Sequence, residues 1–196
     1  MHKFTLLSLG GACLLSLSAQ AAFTTKVPEQ VAFFDQLRAH CGKAYEGKLV
    51  AGGREGDGFT SQRLVMHVRV CEEDQIQIPF HVGENASRTW ILTQTGAGIL
   101  LKHDHRQPDG SDDESTMYGG HTLERGYGNY QRFPADDYSK DLFTRLGFPQ
   151  SNGNVWHMQV YPDRFTYHLT RDAREFRIDF DLTKPVEAPP APWGYR

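Results

Sequence analysis

Apolar and polar residues alternate along much of this chain, which is the pattern of β-strands that bury one face. In residues 75–82, for example, two isoleucines, a phenylalanine and a valine occupy every second position. The same alternation predicts strands at residues 63–70, 88–95, 98–105, 154–161, 164–170 and 174–182. Weaker patterns predict two further strands, at residues 45–50 and 128–133.

Short turns join these segments into hairpins, and the turn positions predict the register of each pair. A two-residue turn at residues 96–97 places Trp90 opposite His103. The same reasoning for the other hairpins predicts these pairs: Val70 with Ile76, Met66 with Phe80, Val160 with Phe165, Trp156 with Leu169, and Tyr167 with Phe176. In every hairpin the apolar residues of both strands then share one face, so all strands agree on which side is buried.

Two segments have the spacing of helices instead. Residues 28–40 carry apolar side chains three and four positions apart, with Pro28 suited to a first turn and Gly42 to the exit. Residues 135–146 predict a short internal helix that begins near Asp136 or Ser139. We therefore expect one N-terminal helix and one short helix between the two groups of strands.

Eight or nine antiparallel strands joined by hairpins must protect their sheet edges from pairing with other chains. Closure into an up-and-down barrel removes the edges, and a two-sheet sandwich is the alternative. The patterns thus predict a mostly β protein, an antiparallel up-and-down β-barrel with an N-terminal helix and one short internal helix.

The segment that follows the first helix adds a resemblance to a known family. Gly42, Tyr45 and Gly47 form a glycine–aromatic–glycine pattern that resembles the opening of lipocalin-like, or calycin, barrels, with Tyr45 where a tryptophan is common. The stretches KHDHR, MYGG and FRIDFDLTKP are also similar to uncharacterised secreted bacterial proteins. The resemblance implies a calycin-like barrel that holds a small apolar ligand.

Both ends of the chain differ from the barrel segments in composition. Residues 1–21 combine Lys3, an apolar run and a small-residue site at Ala19–Ala21, which is typical of a secretory signal peptide. Residues 22–183 would form one barrel domain, and the proline-rich residues 184–196 would run extended over its surface. We therefore expect a periplasmic or secreted protein, with no later segment of the ~20 apolar residues that a membrane helix needs.

The two cysteines of the predicted mature chain are Cys41 and Cys71. In an oxidising compartment such a pair is expected to form a disulfide, here between the first helix and the first hairpin. Two free thiols, or a thiol nucleophile, are the alternative, although no cysteine-nucleophile motif is present.

The charge balance excludes one class of partner. The chain carries 21 Lys and Arg against 24 Asp and Glu, a net charge of −3, and the basic residues are scattered. Binding of nucleic acid normally requires a clustered basic surface, so we expect no nucleic-acid partner. The sequence also lacks the GxSxG motif of serine hydrolases.

His103 and His105 are the strongest candidates for chemistry. Two residues apart on a strand, they point to one face, which we expect to be the inner face beside Trp90. Such a pair can present two neutral imidazoles to a metal ion, with further ligands from a nearby loop. The candidates for those ligands are Asp112, Asp113, Glu114 and His121. A histidine hydrogen-bonded within the core, beside an acidic solvated loop, is the alternative.

Two other features are candidate sites. His157 and His168 are predicted to lie opposite each other with Glu175 beside them, on the face turned to solvent, where either a metal or an ordinary surface row is possible. Residues 117–120, which include Tyr118, could fold over the mouth of the barrel or form a plain turn.

These patterns lead to three hypotheses for function. The first is a non-enzymatic protein that binds a small, partly apolar ligand through Trp90, His103, His105, Tyr118, Trp156 and Tyr167. The second is a metal-dependent hydrolase or isomerase that uses His103 and His105. The third is a structural or envelope-interaction protein whose barrel is filled and whose tail docks to a partner. No catalytic residue, cofactor or oligomeric state follows from the sequence.

Overall fold

The structure is a computed structural model that describes residues 26–195, so the predicted signal peptide at residues 1–21 lies outside the described residues. The helices are α1 (Pro28–Arg38), α2 (Asp137–Arg145) and a short 3₁₀ helix (Pro149–Gly153). Neither α1 nor α2 has the length and apolar character that crossing a membrane would require. The strands of residues 26–195 are β1 (Ala44–Ala51), β2 (Leu64–His67), β3 (Val70–Cys71), β4 (Gln75–Val82), β5 (Asn85–Thr95), β6 (Gly98–His105), β7 (Tyr118–His121), β8 (Tyr130–Pro134), β9 (Val155–Val160), β10 (Arg164–Arg171) and β11 (Arg174–Val186).

The strands form a nearly closed antiparallel barrel. Their order around the sheet is β7-β6-β5-β4-β2-β1-β11-β10-β9-β8, with the short β3 paired to β4. The last strand returns to pair with the first, so the remaining seam lies between β7 and β8. The predicted mostly β, antiparallel up-and-down barrel with one N-terminal and one internal helix is therefore confirmed.

Several predicted registers are also confirmed. Trp90 lies opposite His103 across the turn at residues 96–97. In the second half of the barrel, the pairs Val160 with Phe165 and Trp156 with Leu169 occur as expected. The alternating apolar residues of these strands are buried, because each register places them on the inner face.

The register predicted for the first hairpin is correct in one half and wrong in the other. Met66 does lie opposite Phe80, but Val70 lies opposite Gln77 instead of Ile76. The chain between β2 and β3 contains one extra residue, because the Val68 amide bonds to the Lys43 carbonyl while the Arg69 amide bonds to Gln77. This is a β-bulge, which alternation alone does not reveal.

The last hairpin is displaced by two residues. Tyr167 lies opposite Ile178, and Phe176 lies opposite Leu169. The turn consists of residues 172–173, where Asp172 adopts a left-handed conformation (φ 38°) that aspartate tolerates better than most residues. A shift of two residues leaves each side chain on its predicted face.

Residues 117–120 were expected to be a loop over the barrel mouth or a plain turn, and this expectation is wrong. Residues 118–121 form β7, which pairs with β6 so that Tyr118 lies opposite His103. The two central residues, Gly119 and Gly120, have no side chains and therefore give no alternation signal. The structure requires glycine there, because a Cβ on Gly120 would lie 1.7 Å from the Pro134 carbonyl oxygen across the seam.

Helix α2 covers this seam at its beginning. Of the two predicted starts, Asp136 is the N-cap, and its side chain accepts a hydrogen bond from the Ser139 amide. The Asp136 amide donates to the Gly119 carbonyl at 3.0 Å, and the Ser139 hydroxyl accepts from the Gly119 amide at 2.7 Å. These bonds replace part of the strand ladder that β7 and β8 do not make.

Helix α1 closes one end of the barrel. Its inward residues Phe33, Phe34 and Leu37 are buried, and Gln30 donates a hydrogen bond to Thr122 beyond β7. The predicted disulfide joins Cys41 to Cys71 with the Cα atoms 6.2 Å apart. Near this end the interior is filled by side chains that are fully buried, among them Ile76, Leu92, Ile99, Leu101 and Val160.

The proline-rich segment runs over the outside of the barrel. Strand β11 continues to Val186, beyond the predicted boundary at residue 184, and residues 187–195 follow the surface. The Trp193 amide donates to the Ala86 carbonyl, and the Tyr195 hydroxyl donates to the Asp104 carboxylate. The end of the tail is thus attached to β5 and β6.

Candidate functional site

The half of the barrel away from α1 contains a cavity of about 270 Å³ that opens at the strand ends. All six residues predicted to contact a ligand line it: Trp90, His103, His105, Tyr118, Trp156 and Tyr167. The strand registers explain this convergence, because they place these inward residues beside one another across neighbouring antiparallel strands. Loops and strand ends add further lining residues, among them Phe59, Arg88, Asn154 and Arg174.

Stacked aromatic rings form one wall of the cavity. The Trp90 indole lies between Phe80 and Tyr167, with ring centroids 5.0 Å and 4.5 Å away and interplanar angles of 17° and 13°. Phe80, Trp90 and Tyr167 come from β4, β5 and β10, so the wall spans much of the barrel interior. Flat, rigid rings of this kind offer large apolar contact area to a ligand with little loss of side-chain entropy.

His103 is buried, with 2% of its surface exposed, and both of its ring nitrogens have partners. Nδ1 lies 3.2 Å from the Tyr118 carbonyl, which can only accept, so Nδ1 carries the proton. Nε2 is then bare and accepts a hydrogen bond from the Tyr167 hydroxyl at 2.9 Å. Burial, with a smaller effect of His105, lowers the pKa of His103 to about 3. The imidazole is therefore neutral at physiological pH.

Tyr118 and His105 form a second polar pair closer to the mouth. The Tyr118 ring stacks on His103 at 4.5 Å, and its hydroxyl is 3.2 Å from His105 Nε2. Burial raises the pKa of Tyr118 to about 12. Burial and then Arg88 lower the pKa of His105 to about 4. The hydrogen-bonding groups of the cavity are thus neutral, and aromatic rings surround them.

Two arginines line the rim of the cavity, and within residues 26–195 neither has a carboxylate oxygen within 4.0 Å. Arg88 hydrogen-bonds Asn85 at 3.1 Å, and its guanidinium lies 5.6 Å from the Phe59 ring centroid. Phe59 contacts Phe176 edge to face at 4.9 Å, and Arg174 is two residues from Phe176 on β11. The rim therefore runs from one arginine across two phenylalanines to the other.

Asn154 supplies a polar group on the other side of the cavity. It precedes β9, and its carbonyl accepts a hydrogen bond from the Ala135 amide, so the seam fixes its backbone. Only 7% of the residue is exposed, yet its side-chain Oδ1 has no hydrogen-bond partner among the described residues. A buried amide oxygen without a partner costs about 1–3 kcal/mol.

The residues predicted to complete a metal site are not assembled around His103 and His105. His121 lies at the far end of β7 and hydrogen-bonds Thr95, while Asp112 pairs with Arg106 at 2.6 Å. Asp113 accepts hydrogen bonds from Ser115 in its own loop, and Glu114 is exposed. In the part of the chain that the structure describes, no three His, Cys, Asp or Glu side chains are arranged to hold a metal.

The second histidine row lies on the outer face, and its predicted register requires a correction. His157 and His168 are opposite each other, but Arg177 lies opposite His168 and Glu175 lies opposite Thr170. Glu175 nevertheless approaches His168 diagonally, with Oε1 3.0 Å from Nε2. Both ring nitrogens of His157 are engaged, by Tyr130 at 2.7 Å and Thr170 at 2.9 Å.

The sequence did not predict the buried acid on the outside of the cavity wall. Asp104 points away from the cavity between two inward histidines, yet only 1% of it is exposed. Arg106 donates to both carboxylate oxygens at 3.0 Å, and Thr116 donates at 3.0 Å. With Tyr195 as the third partner, this carboxylate ties the tail and the loop at residues 106–117 to β6.

Comparison of the chain with protein-family models, with curated proteins and with solved structures finds no match in any of the three. The likeness to lipocalin-like barrels therefore consists of the observed barrel architecture together with Gly42, Tyr45 and Gly47. The function has to be inferred from the cavity itself.

Proposed function

We propose that this chain is a non-enzymatic binding protein that holds one small, partly apolar molecule in the cavity at the open end of its barrel. The observation that supports this most strongly is a cavity of about 270 Å³ with stacked aromatic walls and a few neutral polar groups. Ligand sites are typically concave and mostly apolar, with a small number of placed polar groups.

The size of the cavity indicates the size of the ligand. An engineered apolar cavity of about 150 Å³ binds benzene, and ordinary ligand pockets measure about 300–1,000 Å³. A volume of about 270 Å³ thus suits a molecule of one or two rings. The cavity also argues against a barrel filled entirely by its own side chains.

The polar groups support binding better than catalysis. Both nitrogens of His103 are occupied, by the Tyr118 carbonyl and the Tyr167 hydroxyl, so its imidazole is held as part of the wall. A metal-dependent reaction would need a third ligand, which the neighbouring acidic residues do not supply in this geometry. The disulfide supports an exported location, periplasmic or secreted, because such bonds persist in oxidising compartments.

The test is calorimetric titration with a neutral two-ring probe, naphthylmethanol, using a variant in which the cavity is filled. Leu169 lines the cavity on β10, so Leu169→Trp should weaken binding by about tenfold or more. Lys48 is exposed on the outside of β1, so the matched control Lys48→Trp should bind as the wild type does. Near-ultraviolet circular dichroism checks that both variants are folded. Absence of saturable one-to-one binding, or equal binding by folded Leu169→Trp, would overturn the proposal.

A further inference from the structure

The cavity is lined by two positively charged side chains and, among the described residues, by no carboxylate. Arg88 and Arg174 line it, and Arg171 is attached to the rim through a hydrogen bond of 2.6 Å to Ser151. Burial, together with Arg171 and Arg54, lowers the pKa of Arg174, and Asp57 partly offsets this shift. Like charges near one another repel, and a bound anion reduces that repulsion.

The carboxylates of this region are engaged in their own loops. Asp57 accepts hydrogen bonds from the backbone amides of Arg54 at 2.6 Å and Phe59 at 2.9 Å. Asp113 accepts from the Ser115 amide at 2.9 Å. Glu175 pairs with His168 on the outer face, and Asp172 is exposed at the tip of the β10–β11 turn. None of these acids lies within 4.0 Å of the guanidinium of Arg88 or Arg174.

The other side of the cavity contains a hydrogen-bond acceptor instead of cations. Asn154 lines the cavity, and its buried side-chain oxygen has no hydrogen-bond partner within residues 26–195. Trp156 and Tyr118 lie nearby on the same lining, with ring centroids 5.6 Å apart and 29° between their planes. A ligand in this cavity therefore meets aromatic rings in the middle, cations at the mouth and an acceptor at the side.

We propose that the ligand is a flat aromatic carboxylate of one or two rings, a specification that rests on the proposed function. The carboxylate is bound at the rim by Arg88 and Arg174, whose planar guanidinium groups match it in charge and geometry. The ring system lies against the aromatic walls. A hydroxyl or ring N–H of the ligand donates to Asn154 Oδ1.

The experiment compares three probes of one shape: naphthoate, the neutral naphthylmethanol and the cationic naphthylmethylammonium. We expect naphthoate to bind about tenfold or more tightly than naphthylmethanol at low salt, and the cation to bind most weakly. The double variant Arg88→Gln/Arg174→Gln should reduce the ratio of the naphthoate affinity to the naphthylmethanol affinity to about twofold or less. A folded double variant that keeps the preference would overturn the assignment of these arginines.

The matched control removes two positive charges far from the cavity. Arg125 and Arg132 form exposed pairs with Glu29 and Glu124, so Arg125→Gln/Arg132→Gln should leave the order of the three probes unchanged. If naphthylmethanol binds and naphthoate binds no more tightly, the inference fails while the proposed function stands. If none of the probes binds, the proposed function fails as well.

The acceptor role of Asn154 is tested with hydroxynaphthoate isomers. We expect at least one isomer to bind several-fold more tightly than naphthoate, and folded Asn154→Leu to lose that gain. Because the comparison of isomers uses the wild-type protein, it remains decisive even if the variant is unstable. No gain from any isomer would overturn the role of Asn154.

Discussion

His103 is held in a single protonation state by its partners. The Tyr118 carbonyl requires a protonated Nδ1, the Tyr167 hydroxyl is then the donor to Nε2, and the ring is almost fully buried between them. A proton added to this ring would lack solvent and would have to displace the Tyr167 donor. The inner position of His103 follows from strand alternation, whereas its tautomer depends on the Tyr118 carbonyl, which is 15 residues away in sequence.

This environment predicts how stability depends on pH. The pKa of His103 is about 3 in the folded state and 6.5 in the reference state, so unfolding takes up a proton between these values. The contribution is complete above pH 6.5 and is lost as the pH falls towards 3. In His103→Gln, the slope of the free energy of unfolding against pH should decrease by about 1.4 kcal/mol per pH unit near about pH 5. Urea unfolding at a series of pH values measures it, and equal slopes would contradict this account.

Strands with alternating side chains could be predicted from the sequence, but strand β7, the β-bulge and the exact position of the last turn could not. Trp90 opposite His103 follows from the pattern, because side chains on both strands report which face is inward. Strand β7 was missed because Gly119 and Gly120 provide no such signal. The bulge at Val68 and the turn at Asp172 depend on hydrogen bonds and backbone conformations that alternation does not encode.

The close approach of β7 and β8 at the seam can be tested by substitution of a glycine. In Gly120→Ala, the new methyl group would collide with the Pro134 carbonyl, 1.7 Å from the ideal Cβ position. We expect the free energy of unfolding to fall by about 1–3 kcal/mol or more, since overpacking usually costs that much. Gly153→Ala is the matched control, since nothing lies within 4 Å of its Cβ position, and its effect should stay within about 0.5 kcal/mol. Thermal or urea unfolding of both variants decides the matter, and equal stabilities would be inconsistent with a tight seam.

Taken as a whole, the molecule is a barrel that is filled near α1 and hollow at the other end. The inner aromatic residues could be predicted from the strands, but their number does not reveal whether they fill the interior or surround a cavity. That outcome depends on α2, the 3₁₀ helix and the loop containing Phe59, which hold side chains around the mouth. Arg88, Asn154 and Arg174 each lie two residues before an inward aromatic residue, so alternation places them on the inner face, but alternation does not show that they line a cavity.

The disulfide and the tail strengthen the barrel outside the cavity. Cys41–Cys71 closes a loop of 30 residues between α1 and β3, which corresponds to about 3–4 kcal/mol in the chain-entropy model. Tyr195 and Asp104 attach the end of the tail to the back of the strand that carries His103 and His105. The tail thereby fixes the outer face of the strand that contributes both histidines to the cavity wall.

The most direct test of a ligand in the cavity is heteronuclear NMR of the isotopically labelled protein during titration with naphthoate. The sequence contains three tryptophans, and each indole N–H gives its own signal. Trp90 and Trp156 line the cavity, whereas Trp193 lies in the tail on the outer surface. We expect saturable shifts of the Trp90 and Trp156 signals with Trp193 unchanged. Shifts confined to Trp193, or to the exposed residues Leu123 and Tyr127, or no shifts at all, would contradict this expectation.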